Sequence, residues 1–109
     1  DLMKRLLALR ERPTAVIACD DLLAFGAIKA IHEAGLQVPA DIAVAGINNV
    51  PLADYYNPPL TSVKINAFAL GTKAFEMLQT VLTSSVESYN RAIVPAELVV
   101  RSSSLSVKN

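Results

Sequence analysis

The sequence predicts an α/β lobe, a three-layer arrangement with a parallel sheet at its core. Three observations lead there. Ala15-Val16-Ile17-Ala18-Cys19 and Ile42-Ala43-Val44-Ala45-Gly46-Ile47 are apolar runs without polar alternation, the pattern of strands covered on both faces. Between them, residues 22–34 carry helical spacing. The unit therefore reads strand, helix, strand, and a right-handed crossover makes its strands parallel. Each run also ends in a polar pair, Asp20-Asp21 and Asn48-Asn49. Ligands of open parallel sheets bind just beyond the carboxyl ends of the strands, so these four residues stand where a site belongs.

Composition bounds the class. The chain has 109 residues, 52% hydrophobic and 18% charged, with a mean hydropathy of +0.38. Much of so short a chain must be buried. Ten basic and ten acidic residues give a formal net charge of zero, which lacks the basic footprint of a nucleic-acid-binding surface. No apolar stretch has membrane-spanning length, and no signal peptide is visible. The single Cys19 falls in a predicted buried strand. It excludes an intramolecular disulfide and favours a reducing compartment. The sequence opens at Asp1 inside a predicted helix that lacks a preceding strand. The expectation is a fragment of a longer protein, missing sequence on its N-terminal side.

Taken in order, Leu2, Met3, Leu6, Leu7 and Leu9 form a helical stripe. Pro13 disfavours helix at the residue before it, so this helix is expected to stop near Glu11. After the first strand, Asp20 or Asp21 can cap the next helix, because a short carboxylate accepts the unpaired N–H groups of a first turn. Asp21 is the preferred cap. On that helix Leu23, Ala27, Ala30, Ile31 and Ala34 share one face, while Leu22, Phe25, Ile28 and Lys29 point elsewhere. Its first turns are apolar nearly all round, so the side away from the sheet needs a neighbour. Gly35 ends it, where a positive φ is wanted.

Pro51 to Leu60 reads as a loop, since three prolines interrupt it. Thr61 to Ile65 alternates as a strand with Val63 and Ile65 inward. Asn66 is placed as the N-cap of a helix over 67–82, striped by Phe68, Gly71, Phe75, Leu78 and Leu82. Gly71 there marks a possible close approach. Residues 83–91 read as a polar, mobile loop. Ile93-Val94 and Glu97 to Arg101 read as strand pieces divided by Pro95, and 102–109 as a polar tail.

Catalytic chemistry is poorly represented. His32 is the single histidine and lies on a wet helix turn. No Cys/His spacing suits a metal, and no glycine-rich phosphate loop follows either strand. The sequence therefore gives no enzyme, no metal and no cofactor. The adjacent acids with Lys64 leave a receiver-type signalling domain as a minor alternative, but Asn48-Asn49 stands where a phospho-accepting aspartate is required.

The stretch from Arg12-Pro13-Thr14-Ala15 to Ile65 resembles the effector-binding domain of the LacI/GalR family of bacterial transcription regulators. The likeness rests on Asp21-Leu22-Leu23-Ala24, Gly26-Ala27, Gly35-Leu36, Val38-Pro39, Asp41, Gly46 and Pro58-Pro59-Leu60-Thr61. Pro95, Glu97-Leu98-Val99 and Arg101-Ser102 extend it nearly to the end of the chain. The resemblance implies a periplasmic-binding-protein-like (type I) fold, incomplete at its N-terminal side. Residues 1–109 would be most of the C-terminal lobe, without the DNA-binding head and the N-terminal lobe. It further implies a cytoplasmic, sugar-responsive repressor, a homodimer or higher homo-oligomer, in which a small effector bound between two lobes modulates operator affinity. A transport sugar-binding protein of the same fold is the alternative.

Two positions depart from the family pattern. Asp20-Asp21 replaces the usual Asn-Asp, and Asn48-Asn49 the usual Asp-Asp. The amide and carboxylate at the two contact positions are exchanged, yet one acceptor-only and one donor-acceptor group remain to hold a diol. Asp20 and Asn48 are thus the expected effector contacts. The Asn-Asn variant resembles that of maltose-operon repressors, which makes a glucoside such as maltose the first effector to consider. By the same resemblance Leu22, Phe25, Tyr55 and Tyr56 line the subunit contact.

Overall fold

The strand–helix–strand unit is present with parallel strands. The computed structural model describes residues 2–84 and 91–105. Its elements are α1 (Leu2–Leu7), β1 (Ala15–Ile17), α2 (Asp21–Glu33), β2 (Ala43–Ile47), α3 (Leu52–Tyr55), β3 (Thr61–Lys64), α4 (Ala67–Thr83) and β4 (Glu97–Val99). The chain divides into two compact units, Asp1–Lys64 with Glu97–Asn109, and Ile65–Ala96.

The first unit holds a four-stranded sheet in the order β1-β2-β3-β4. The first three strands run parallel, with Val16 opposite Val44 and Gly46 opposite Ser62. β4 is antiparallel to β3, Leu98 lying opposite Val63. Burial alternates along β2: Val44 and Gly46 are buried while their neighbours are half-buried. The buried face meets α2, whose Ala24, Ala27, Ile28 and Ile31 form the core with Ile42, Ala53 and Leu60. The predicted face of α2 is therefore rotated. Ile28 is fully buried, whereas Leu22 and Leu23 are exposed, because Asp21 itself turns inward and takes the start of the buried stripe with it.

Gly35 adopts φ 76° and closes α2 as expected. Leu36 N–H donates to Ile31 O at 3.1 Å and Gly35 N–H to His32 O at 2.9 Å, which satisfies the last carbonyls of the helix. Other expectations need correction. α1 ends at Leu7 rather than near Glu11. Cys19 is exposed, because β1 is an edge strand that ends at Ile17. The proline-rich loop contains one turn of helix, α3, which starts directly after Pro51, where a fixed φ suits a helix start.

β3 buries Thr61 and Ser62, not Val63 and Ile65. The part of the tail within the described residues is also pinned. Ser103 is fully buried; its Oγ donates to Val44 O at 2.6 Å and accepts from Thr61 N–H at 2.8 Å. Its carbonyl accepts from Val44 N–H at 2.8 Å. Ser103 thereby pairs the part of β2 that lies beyond the first residue of β3. No strand forms at Ile93-Val94.

In the second unit Asn66 caps α4 as expected, its Oδ1 accepting from Ala69 N–H at 3.0 Å. α4 buries none of its residues. A Cβ at Gly71 would meet nothing within 4 Å, so that glycine marks no close approach. Of the predicted loop at 83–91, residues 85–90 lie outside those described, as do 106–109 of the tail.

Candidate functional site

The carboxyl ends of β1 and β2 bring Asp20 and Asn48 into direct contact. Asp20 has an extended backbone, φ −156° and ψ 152°, and is the N-cap of α2. Its Oδ1 accepts from Leu22 N–H at 2.7 Å, satisfying one of the unpaired donors of the first turn. Its Oδ2 accepts from Asn48 Nδ2 at 2.7 Å. The carboxylate thus fixes which way the Asn48 amide faces, since only the NH2 side can donate to it. Asp20 is half-buried and Asn48 exposed, so the pair forms a polar shelf at the surface.

Asp21 is not the cap. It is the first helical residue, fully buried. Its Oδ1 accepts from Ser62 Oγ at 2.6 Å and its Oδ2 from Val50 N–H at 2.8 Å. An extended Asp20 leaves the cap position filled, which frees Asp21 to turn into the sheet. There Gly46 gives it room: a Cβ at that position would collide with Asp21 Oδ1. Ser62 Oγ also accepts from Asn49 N–H at 3.0 Å, and Asn48 N–H donates to Val63 O at 2.9 Å. The loop that carries Asn48 is therefore held by every successive N–H.

That loop has an unusual backbone. Asn48 has φ 104° and Asn49 φ 53°, a region that Asn tolerates better than other non-glycine residues. Two consecutive asparagines at a strand end are thus required twice over, by backbone conformation and by side-chain contact. Asn49 Oδ1 accepts from Arg101 Nη1 at 2.8 Å. Ser62 and Arg101 both hold Asn49, and the sequence pattern pointed to neither as part of the site. Ser62 was hidden by alternation that pointed to Val63, and Arg101 carried a signal only as part of a family motif.

The four residues expected at a subunit contact fall into two kinds. Leu22 is 67% exposed and Tyr55 83%. Phe25 is 7% exposed and stacks on Tyr56 with ring centroids 4.3 Å apart. Tyr56 OH donates to Phe25 O at 3.3 Å. Phe25 and Tyr56 thus pack within one chain and bind α3 to α2. Lys64 pairs with Glu97 at 4.0 Å, its neighbour across the β3–β4 ladder. A separate apolar cleft of about 600 Å³ lies between α1, β1 and α2, lined by Leu2, Leu6, Val16 and Leu23 among others. Among the described residues no group of three or more His, Cys, Asp or Glu could hold a metal, and no helix is long and apolar enough to cross a membrane.

A family model described as a periplasmic binding protein-like domain matches residues 1–104. The lactose operon repressor of Rhizobium radiobacter is 39% identical over 101 residues, covering 92% of this chain and 88% of that protein. The chain belongs to the LacI/GalR family. The HTH-type transcriptional repressor PurR of Haemophilus influenzae is 36% identical over 110 residues, 98% of this chain but 33% of that protein. The crystal structure of the lac repressor dimer bound to operator and the anti-inducer ONPF is 32% identical with a TM-score of 0.84, covering 96% of this chain and 36% of that one. The LacI/GalR chain described here thus spans about a third of the length of these PurR and lac repressor relatives. Its polar pairs, Asp20-Asp21 and Asn48-Asn49, occupy the two strand ends that form the shelf.

Proposed function

We propose that the first unit supplies most of the C-terminal lobe of the effector-binding domain of a sugar-responsive, cytoplasmic transcriptional repressor. In the whole protein a small effector bound between two lobes would modulate operator affinity, and DNA would be contacted by a head outside this chain. The observation that carries the reading is the contact of Asp20 with Asn48 across the ends of two parallel strands. A carboxylate that only accepts lies beside an amide that donates and accepts, and vicinal hydroxyls of a sugar match such a pair. One hydroxyl donates to Asp20 while its neighbour accepts from the second hydrogen of Asn48 Nδ2. The relatives support the same class by name, as repressors, one of them a dimer on its operator.

The same reading makes the whole protein a homodimer or higher homo-oligomer. Leu22 and Tyr55 present exposed surface to the partner, while Phe25 and Tyr56 stack on each other within the chain. The effector is a glucoside in the first instance, with maltose the sugar to test. The test is release of the full-length protein from its operator by maltose and other saccharides, with calorimetry on the same protein. Operator binding that no saccharide alters, together with no measurable heat of sugar binding, would overturn the assignment.

A further inference from the structure

We propose that Arg101 is a positioning residue for the effector shelf, acting on Asn48 through Asn49. The inference rests on the reading of Asp20 and Asn48 as the sugar contacts and goes one step behind them. The Arg101 side chain is 15% exposed and grips three separate segments. Nη1 donates to Asn49 Oδ1 and to Leu60 O, each at 2.8 Å. Nε donates to Asp54 Oδ1 at 2.9 Å.

The arginine itself is anchored. Its N–H donates to Thr61 Oγ1 at 2.8 Å, and Thr61 Oγ1 lies 2.9 Å from its carbonyl. A planar fork held at its base and at three acceptors defines the place of Asn49. Asn49 and Asn48 both have left-handed backbones, which persist only where surroundings over-determine them. The backbone N–H bonds of this loop hold its main chain. Among the described residues Arg101 holds the Asn49 side chain. Without that grip, the positive φ of Asn48 and Asn49 rests on the backbone N–H bonds alone, and the pair shifts towards less strained φ values. The Asn48 amide then swings away from Asp20, and the shelf loses its donor. Lysine does not replace this arrangement, because a single ammonium on a flexible stem cannot span Asn49, Leu60 and Asp54 in one plane.

The test uses the full-length protein, with maltose as probe by calorimetry and with a crystal structure of the R101K protein. R101K is expected to bind maltose about tenfold more weakly, the loss of one good hydrogen bond. Because Arg101 acts through Asn48, R101K combined with Asn48→Ala is expected to bind no more weakly than Asn48→Ala alone. A merely structural role would make the two losses multiply. Asp54→Ala, which leaves the bond to Asn49 in place, is expected to change affinity by less than about twofold.

The crystal structure answers without any sugar. Asn48 Nδ2 is expected beyond hydrogen-bonding distance of Asp20 Oδ2, and an unchanged contact in R101K would overturn the proposal. If Asn48→Ala leaves sugar affinity intact, the shelf reading fails and this inference falls with it. If Asn48→Ala weakens binding while R101K does not, the Arg101 proposal alone is wrong.

Discussion

Asn48 Nδ2 donates to Asp20 Oδ2 at 2.7 Å, joining residues 28 positions apart in sequence at the ends of adjacent parallel strands. The bond has a direct consequence for ligand recognition. Both groups are oriented before a ligand arrives, so little side-chain entropy is lost when one binds. It also divides the work of Asp20, one oxygen capping α2 and the other facing Asn48.

That division separates two measurements. Asp20→Ala removes both contacts, so stability is expected to fall by about 1 kcal/mol from the lost cap. Effector binding is expected to fall by about 1–3 kcal/mol. Asn48→Gly removes the amide from a residue at φ 104°, where glycine is at ease. It is expected to keep or raise the melting temperature while weakening effector binding by about 1–3 kcal/mol. Calorimetry and thermal unfolding of the full-length variants check both; equal loss of stability in the two would show that the shelf is only structural.

Gly46 lies against the buried Asp21 carboxylate, with Leu60 Cδ2 at 3.1 Å from where a Cβ would stand. Gly46→Ala is therefore expected to destabilise the lobe by about 1–3 kcal/mol. It should do so by displacing Asp21 from Ser62 Oγ and Val50 N–H. Urea unfolding measures this directly, and a stability within experimental error of the unaltered protein would contradict the packing described.

Much of this was legible in the sequence, and the failures have a common cause. Parallel β1 and β2, the α2 stop at Gly35 and the Asn66 cap all follow from local chemistry. The positions of Asp20 and Asn48 followed from strand ends and topology. What the pattern concealed was burial of polar side chains. Hydropathy made Val63 and Ile65 the inward residues of β3. Ser62 and Thr61 are buried instead, because Asp21, Asn49 and Arg101 satisfy their hydroxyls. Asp21 likewise read as a surface cap because a buried carboxylate costs too much unless partners are supplied. Those partners come from β3 and from the loop after β2, more than 28 residues away, where one residue's neighbourhood gives no sign of them.

Subunit contact is tested best with residues that do not support the fold. Tyr55 and Leu22 are exposed, so Tyr55→Ala with Leu22→Ala leaves no internal cavity. In the full-length protein this pair is expected to shift the oligomer towards monomer in sedimentation, since truncating interface anchors often costs about 2 kcal/mol or more. Phe25→Ala is expected to act differently. It removes a buried ring stacked on Tyr56 and should destabilise each chain by about 3–5 kcal/mol. An oligomer unchanged by the Tyr55 and Leu22 pair at micromolar concentration would remove these residues from the interface.

The 109-residue chain by itself is expected to do neither half of the repressor's work. Operator binding needs many lysines and arginines against phosphates, because counterion release dominates nucleic-acid affinity. Here ten basic residues are balanced by ten acidic ones, and several are already committed to ion pairs: Lys64 with Glu97, Lys73 with Glu76 and Arg101 with Asp54. Effector binding should fail for a different reason. Ligand pockets bury roughly 70–90% of a small ligand, and the shelf of Asp20 and exposed Asn48 faces open solvent on one side. Water competes for every hydroxyl there, so affinity for maltose should be millimolar or weaker. A mobility shift with the full-length protein's operator and calorimetry with maltose measure the two failures separately. Operator binding that survives about 150 mM salt would place DNA recognition within these residues after all, and micromolar sugar affinity would mean that the shelf needs no second lobe.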